Sequence, residues 1–188
     1  MCDARRKPPR DHNLSLDGYT KNMKIRQEIP SDREAIWYLT KAAFEGRPYA
    51  AGDEQDLIDK LRVCGALTVS LVAVVDSEIV GQISFSPASI SSGEGIWFAL
   101  GPVSVAPKFQ GRGIGSALID AGMKEIEKFG AWGCILTGDP KFYARFGFVL
   151  SPDHCPLNEP QEYFMLRLMR ENSPVGTFSF HKAFYPGN

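Results

Sequence analysis

Apolar residues in the first third of the chain follow a helical period after one short alternating segment. Alternation over residues 24–28 predicts a strand. Ser31, with Glu34 three residues later, has the form of a capping box and predicts the start of a helix. Two sets of apolar residues at helical spacing follow, which are Ile36, Leu39, Ala43 and Phe44 in the first set and Leu57, Ile58, Leu61 and Val63 in the second. We therefore predict two helices, the second beginning near Asp53, joined by a glycine- and proline-containing loop at residues 46–52.

The middle and the end of the chain are patterned mainly for β-structure. The predicted strands cover residues 68–75, 79–86, 95–105, 132–137, 163–169 and 177–184. Pro102 cannot donate a hydrogen bond to a sheet, so the third of these strands should be bulged or should leave its neighbour there. A broad apolar face over residues 113–129 predicts a long helix, and residues 140–146 predict a short one ended by Gly147. This order of elements predicts an α/β domain of the α+β type with a largely antiparallel sheet.

Residues 1–22 differ from the rest of the chain. They combine two adjacent prolines and several charges with few large apolar residues, and they show no period. We interpret them as a flexible N-terminal extension and residues 23–188 as a single domain. The 188 residues are enough for one domain with a sizeable core, and 44% hydrophobic with 23% charged residues argues against disorder.

Charge and cysteine content exclude several classes of partner. The net charge is -1 and the globular part has no basic stripe, so we predict no nucleic-acid partner. No apolar run is long enough to cross a bilayer and no signal peptide is evident, so we predict a cytoplasmic protein with no membrane partner. The four cysteines form no C-x-x-C pair and have no zinc-like spacing to histidine. We therefore predict free thiols and no metal.

Residues 110–115, Gln-Gly-Arg-Gly-Ile-Gly, lie where the bulged strand ends and the long helix begins. Glycines let backbone N–H groups approach an anion, and the start of a helix presents unpaired N–H groups with a partial positive charge. Arg112 adds a cation and Gln110 an amide donor. The segment lacks the ending of a Walker loop, and Ser116 stands where a dinucleotide fingerprint has its third glycine. On these residues alone, phosphate binding and a glycine-rich helix start without a ligand both remain open.

Two segments carry a family resemblance. Residues 110–115 resemble the Q/R-x-x-G-x-G/A signature of the GCN5-related N-acetyltransferase (GNAT) superfamily, and residues 143–148, Tyr-Ala-Arg-Phe-Gly-Phe, resemble its Y-x-x-x-G-F segment. The amino-acid sequences at residues 100–103 and 138–140 are most similar to those of the YhbS-like bacterial branch. The resemblance covers the chain beyond the N-terminal extension. It implies the GNAT fold, which is a mixed and mostly antiparallel central sheet with a splayed parallel strand pair, flanked by helices.

The resemblance implies acetyl-CoA as co-substrate. The cofactor-binding residues that it implies are Val103, Ser104, Val105, Gln110, Gly111, Arg112, Gly113, Ile114, Gly115 and Ser116. In the family the pantetheine arm lies against the bulged strand, so the backbone groups of Val103 and Val105 are expected to bind it. The pyrophosphate is expected on the backbone N–H groups at residues 112–116, with Gln110 and Gly111 completing the cradle.

The resemblance also implies Tyr143 as the general acid that protonates the departing thiolate. The base is less directly indicated, with Glu54, Asp53 and Glu94 as candidates. We predict Glu54, because it lies at the start of the second helix, where the family's acceptor-binding loop usually is. A solvent-facing carboxylate favoured by the helix dipole, with a water chain as the base, is the alternative.

Other chemistry-bearing residues receive structural roles. Asp139 is predicted to cap the short helix, and Arg145 to be a solvated charge. Four further residues are assigned to the core, which are Phe85, Trp97, Trp132 and Cys134.

The function that the resemblance implies is N-acetyl transfer from acetyl-CoA to a primary amine of a small molecule or peptide, by direct attack in a ternary complex. The alternatives are transfer of a longer acyl group, a non-catalytic acyl-CoA-binding or sensor module, and a nucleotide-binding protein for another anion. No residue identifies the acceptor, although the loops at residues 46–52 and 151–162 are expected to line its site. A homodimer is possible, because dimers are common in the resembled family.

Overall fold

The computed structural model describes residues 22–47, 52–171 and 173–185. The predicted N-terminal extension therefore lies outside the described residues except for residue 22, and so does most of the loop at residues 46–52. The α-helices in the described part are α1 (Arg33–Phe44), α2 (Glu54–Val63), α3 (Ile114–Lys128) and α4 (Pro140–Tyr143). The strands in the described part are β1 (Lys24–Gln27), β2 (Val69–Val75), β3 (Glu78–Ile90), β4 (Trp97–Val105), β5 (Gly133–Thr137), β6 (Val149–Leu150), β7 (Phe164–Leu168) and β8 (Phe178–Ser179).

The strands form one sheet in the order β1-β2-β3-β4-β5-β7-β6, with β8 paired to the end of β3. All neighbours are antiparallel except β4 and β5, which are parallel. The β2–β3 hairpin turns at Asp76 and Ser77, whose φ angles of 48° and 68° suit a tight two-residue turn. The predicted mixed, largely antiparallel sheet is confirmed.

The predicted bulge lies in the middle of β4. Ile83 of β3 faces Val103, whereas Phe85 faces Leu100, so Gly101 and Pro102 together lie opposite the single residue between them on β3. Pro102 has no N–H to place in a ladder, which is the physical reason for the irregularity.

The parallel strands separate at the same level. β4 and β5 pair only over residues 97–99 and 133–135. Beyond them, β4 stays paired with β3 as far as Val105, and β5 stays paired with β7 as far as Thr137. The two halves of the sheet therefore part beyond Ala99 and Ile135. We call the resulting gap, between residues 100–105 and residues 136–137, the β4–β5 cleft. It is the splayed parallel pair that the resemblance implied.

Helices cover both faces of the sheet. On one side, the α3 face, Phe98 belongs to an apolar core with Leu118 and Ile119 of α3. An added Cβ on Gly122 would lie 2.2 Å from Phe85 Cε2, so α3 approaches this closely only because residue 122 is glycine. Neighbouring residues of a strand point to opposite faces. Trp97 accordingly lies on the other side, the α1 face.

The α1 face is covered by two groups of residues. Helices α1 and α2 contribute Ile36 and Ile58, which pack on Val72. Aromatic residues after β7 cover the part of the sheet beneath Trp97. Of the predicted core residues, Phe85, Trp97 and Cys134 are buried and Trp132 is partly buried. Burial raises the pKa of the Cys134 thiol, as expected for a packing residue.

The predicted capping box at Ser31 and Glu34 is wrong. Pro30 begins a 3₁₀ turn, so α1 starts only at Arg33, with Asp32 at its N-cap and no side-chain cap bond. The Asp32 carboxylate instead accepts the Ile29 N–H at 2.8 Å and binds Arg26 at 2.5 and 3.0 Å. The Arg26 guanidinium lowers the pKa of Asp32.

Two further expectations are corrected, and one short strand was missed. Val63 is 88% exposed and does not belong to the apolar face of its helix. The predicted strand at residues 177–184 is reduced to β8, followed by a 3₁₀ turn, although Phe178 and Phe180 are buried as their alternation indicates. A short extended chain can bury alternate side chains without a ladder partner. The two-residue strand β6 was not predicted, because it is too short to show a period.

Candidate active site

The edge of β4 that borders the cleft exposes backbone groups of alternate residues. Along a strand, successive residues direct their N–H and C=O groups to opposite edges. The Ala106 N–H donates to Val80 O at 2.9 Å, so residues 104 and 106 face β3. Val103 and Val105 therefore direct their backbone N–H and C=O groups into the cleft, which is the orientation expected for pantetheine binding. The Ser104 backbone faces β3, and its buried side chain lies against Thr40 on the α1 face, with the two hydroxyl oxygens 3.0 Å apart.

The glycine loop, residues 110–115, begins where β4 ends. Gly111 and Gly113 have φ angles of 75° and 80°, which L side chains rarely adopt. A Cβ on either residue would meet nothing within 4 Å, so the space around them is open. Gly113 is the N-cap of α3, and the first N–H groups of the helix have no acceptor within it. This arrangement fits an anion such as a pyrophosphate.

The start of α3 lies directly against the end of β4. A Cβ on Gly115 would be 3.7 Å from Val105 Cγ2, whereas the Ile114 side chain is buried in the core and leaves only its backbone for a ligand. Ser116 is half-buried in the same turn. Arg112 places its guanidinium carbon 5.4 Å from the centre of the Phe109 ring. The predicted pyrophosphate and pantetheine residues thus adjoin one another at one end of the cleft.

Gln110 has a different contact from the one predicted. Its Nε2 donates to Val105 O at 2.9 Å, and its Oε1 accepts from Arg47 at 2.8 Å. The side chain therefore ties the glycine loop to β4 and to the segment after α1, and one of its two amide hydrogens is bonded to Val105 O. Arg47 was not identified from the sequence. No local pattern signals a contact between residues 63 positions apart.

Tyr143 is held beside the end of β5. It is the last residue of α4, whose N-terminus is capped by Asp139 as predicted: the carboxylate accepts the Lys141 N–H at 2.9 Å. An added Cβ on Gly138 would lie 2.4 Å from Tyr143 Cε2, so the ring packs directly over that glycine. The ring also contacts Phe142 edge-on, with centroids 4.9 Å apart, and packs against the core of the α3 face.

Two of the three predicted carboxylates lie at the start of α2. Glu54 is half-buried, and its Oε2 accepts the Gly52 N–H at 3.1 Å. Asp53 is exposed and pairs with Lys60 at 3.8 Å. Helix α2 packs against the 3₁₀ turn that contains Phe184, and a Cβ on Gly101 would lie 3.9 Å from that ring. The helix that carries Glu54 and the bulge at Gly101 therefore both adjoin this turn.

The third carboxylate, Glu94, is exposed in the loop that precedes β4. The cleft lies at the carboxyl end of β4, whereas Glu94 lies beyond its amino end. Its backbone oxygen accepts the Trp97 indole N–H at 2.7 Å, which is a structural contact. The structure therefore does not bring Glu94 to the cleft.

A row of polar side chains is buried on the α1 face beside the bulge. We call it the polar row, and its members are Thr40, Gln82, Ser84, Ser86 and Ser104. Ser84 is the residue opposite the bulge, and its Oγ accepts from Gln82 Nε2 at 2.5 Å. Within the described residues, Gln82 Oε1 and Ser86 Oγ have no hydrogen-bond partner. Buried polar atoms without partners indicate places for water or a ligand. The sequence showed only a strand here.

A further carboxylate lies near the end of β5. Thr137 Oγ1 donates to Glu159 Oε2 at 2.7 Å. Burial raises the pKa of Glu159, and the hydrogen bond from Thr137 opposes this effect. Sequence analysis missed Glu159 because it lies in the irregular loop at residues 151–162, where no period or motif singles out one acidic residue.

The described part of the chain contains neither a cluster of metal-binding side chains nor a helix that could span a membrane. No group of three or more His, Cys, Asp or Glu side chains is arranged there to hold a metal ion. No helix among these residues has the length and apolar character needed to cross a bilayer.

Comparisons with known proteins agree with this geometry. Residues 67–150 match the family model described as an acetyltransferase (GNAT) domain. The chain is 31% identical to the uncharacterized N-acetyltransferase YhbS of Escherichia coli strain K12 over 169 residues, which covers 86% of this chain and 98% of that protein.

Two crystal structures are similar over nearly the same extent. One is a GNAT family acetyltransferase from Brucella melitensis in complex with acetyl-CoA, which is 40% identical with a TM-score of 0.77 and matches over 87% of this chain and 98% of that one. The other is YhbS from Escherichia coli in complex with CoA, which is 30% identical with a TM-score of 0.79 and matches over 87% of this chain and 92% of that one.

Proposed function

Because this chain belongs to the GNAT acetyltransferase family, we propose that it transfers an acetyl group from acetyl-CoA to a primary amine of a small molecule or peptide. The observation that carries the proposal is the junction of the β4–β5 cleft with the glycine loop. An open strand edge there adjoins a helix N-terminus with two left-handed glycines. The two similar crystal structures bind acetyl-CoA and CoA, which supports the choice of anion.

In this proposal the backbone N–H groups at residues 113–116 hold the pyrophosphate, with Gly111 and Arg112 beside it. Val103 offers its backbone C=O group to the pantetheine arm. The Val105 carbonyl is already bonded to Gln110, so its N–H is the group left for the ligand. Gln110 acts by positioning the loop.

Transfer proceeds by direct attack in a ternary complex. The amine nitrogen forms a bond to the thioester carbon, and the carbon–sulfur bond breaks. The backbone N–H of Val103, at the cleft edge, stabilises the oxyanion that forms between these events. Glu54 accepts the proton that the attacking amine loses, and Tyr143 donates a proton to the departing sulfur.

The proton donated by Tyr143 must move with the breaking bond. The reference pKa of tyrosine is about 10 and that of a thiol about 8.5, so transfer to a fully formed thiolate is unfavourable by about 2 kcal/mol. A tyrosine therefore assists most while the carbon–sulfur bond is breaking, and bulk water can reprotonate the phenolate afterwards.

A thiol-release assay with acetyl-CoA over a panel of amines tests the reaction. We expect release that depends on both the amine and the enzyme. A thermal shift with acetyl-CoA but no release with any amine would instead support a non-catalytic acyl-CoA-binding module. Faster release from a longer acyl-CoA would support the alternative donor.

Gly113→Glu tests the cofactor site separately. The substitution strains a residue at positive φ and places a carboxylate where the pyrophosphate is proposed, so we expect the thermal shift with acetyl-CoA to disappear. Gly93→Glu is the matched control, because Gly93 has a φ of 76° and open space around it but lies in the turn before β4. An equal loss in both variants would contradict the assignment.

A further inference from the structure

Thr137 and Glu159 lie at the mouth of the cleft on the α1 face. Ile135 is the last residue of β5 that pairs with β4, and it packs against Ala99 and Trp97 on that face. Thr137 is two residues further along, so its side chain points to the same face. The hydrogen bond to Thr137 places the Glu159 carboxylate there as well.

Tyr143 packs on the opposite side of the sheet. Its ring adjoins the core of the α3 face, which also contains Leu136, the residue between Ile135 and Thr137. The proposed proton donor and the Glu159 carboxylate therefore lie on opposite faces of the sheet, on either side of the end of β5. A leaving sulfur beside one face and an incoming amine beside the other would suit a direct attack.

In the part of the chain that the structure describes, no cation pairs with the Glu159 carboxylate. The Glu159 charge acts on two nearby groups, the Cys155 thiol and the Tyr185 hydroxyl, and neither of them carries a positive charge. Cys155 Sγ also contacts the Glu159 backbone oxygen at 3.5 Å. Burial, and then the Glu159 charge, raise the pKa of Tyr185.

A half-buried carboxylate without a cation is electrostatically complementary to a positively charged ligand. Alkylamines resemble lysine, whose reference pKa is about 10.4, and so they arrive as ammonium ions at neutral pH. Arylamines arrive neutral. A site with a carboxylate at its mouth therefore favours the first class.

On the basis of the function proposed above, we infer that Glu159 binds the ammonium group of an alkylamine acceptor at the mouth of the cleft. Thr137 orients the carboxylate by donating to Oε2, which leaves Oε1 for the ligand. Glu159 determines how tightly the acceptor binds. The bound ammonium ion first loses one proton to water, which frees the nitrogen lone pair for attack, and Glu54 then accepts the second proton as the carbon–nitrogen bond forms.

Glu159→Gln tests this inference, because glutamine keeps the shape and an acceptor for the Thr137 hydroxyl. Steady-state kinetics are measured with a panel of alkylamines at saturating acetyl-CoA. We expect KM for these amines to rise about 10-fold or more, as for loss of a charged hydrogen bond, with kcat within about two-fold. Added salt should raise KM for the unaltered protein and have little effect in the variant.

Glu162→Gln is the matched control, since Glu162 is an exposed carboxylate in the same loop, and it should leave KM unchanged. Thr137→Val should raise KM less than Glu159→Gln, and Thr137→Ser should restore it, because serine keeps the hydroxyl. If Glu159→Gln does not fold, the KM values of the two Thr137 variants provide the same test.

The outcomes separate this inference from the proposed function. An unchanged KM in Glu159→Gln, or a lower kcat at constant KM, would overturn the inference while acetyl transfer stands. Preference of the unaltered protein for arylamines would overturn it too. No thiol release with any amine would overturn the proposed function and this inference together.

Discussion

The two faces of the sheet bury different kinds of side chain. Beneath α3 the core is apolar and close-packed, with Phe85 against the helix backbone at Gly122. On the α1 face the sheet buries the polar row beside the bulge, and two of its polar atoms have no partner in the described structure. A close-packed apolar face supplies rigidity, whereas buried hydroxyls and an amide are tolerated where water or a ligand can satisfy them. Under the function proposed above, the α3 face would anchor the scaffold and the α1 face would receive the acceptor.

The largest expected effect is on the stability of the α3 face. Leu118 is fully buried there, so Leu118→Ala should lower the free energy of unfolding by about 2–5 kcal/mol, measured by urea denaturation. Val63→Ala is the control, because that side chain is exposed, and it should change stability by less than about 0.5 kcal/mol. A similar loss in both variants would break the comparison.

Tyr143→Phe tests the chemistry assigned to the α3 side. The ring packing is kept while the hydroxyl is removed, so we expect kcat to fall about 100-fold or more with KM for the amine little changed. Stopped-time thiol-release assays between neutral and alkaline pH provide the measurement. Full kcat throughout that range would exclude Tyr143 as the acid.

The polar row on the α1 face allows a paired test. Thr40→Val leaves the Ser104 hydroxyl buried without its 3.0 Å partner and should cost about 1–3 kcal/mol of stability. Ser86→Ala removes a buried hydroxyl that has no partner among the described residues, so it should be neutral or slightly stabilising. The reverse order of the two effects would show that the row is satisfied by other groups.

The smallest expected effect is a pH-dependent one at Glu159. Its pKa is raised in the folded protein, so the folded state holds the proton more tightly than the unfolded state does. Stability from this group is fully present below the unfolded pKa, about 4.3, and is lost as the pH rises through the folded pKa. Glu159→Gln should therefore be slightly more stable than the unaltered protein at pH 7, and the advantage should vanish near pH 4. Thermal unfolding at the two pH values measures it, and an equal difference at both would contradict the shift.

Prediction from sequence succeeded where a local pattern has one structural solution. Pro102 could not continue a regular ladder, and the apolar face of α3 had to pack on a sheet, so the bulge and the helix were both predictable. Prediction failed where several local solutions compete. A 3₁₀ turn forms in place of the Ser31 capping box. Arg26, which lies on a different element, binds Asp32 and favours the later helix start.

The candidate site shows the same division. Its cofactor side, with the glycine loop and Tyr143, follows from contiguous segments and from a family resemblance. The contacts on its proposed acceptor side follow from neither a contiguous segment nor the resemblance. Glu159 contacts Thr137, which lies 22 positions earlier in the chain, and Arg47 contacts Gln110, which lies 63 positions later.

By itself the sequence determined the order of the elements, the bulge at Gly101-Pro102 and the glycine loop at the start of α3. Each depends on backbone properties of residues close together in the chain: a missing N–H, a positive φ, a helical period. Only the tertiary structure decided at which residues β4 and β5 part, that polar side chains of β3 lie buried beneath α1, and that Glu159 lies beside Thr137 at the end of β5. These features depend on the pairing of distant strands and on burial, whose free energy no local segment contains.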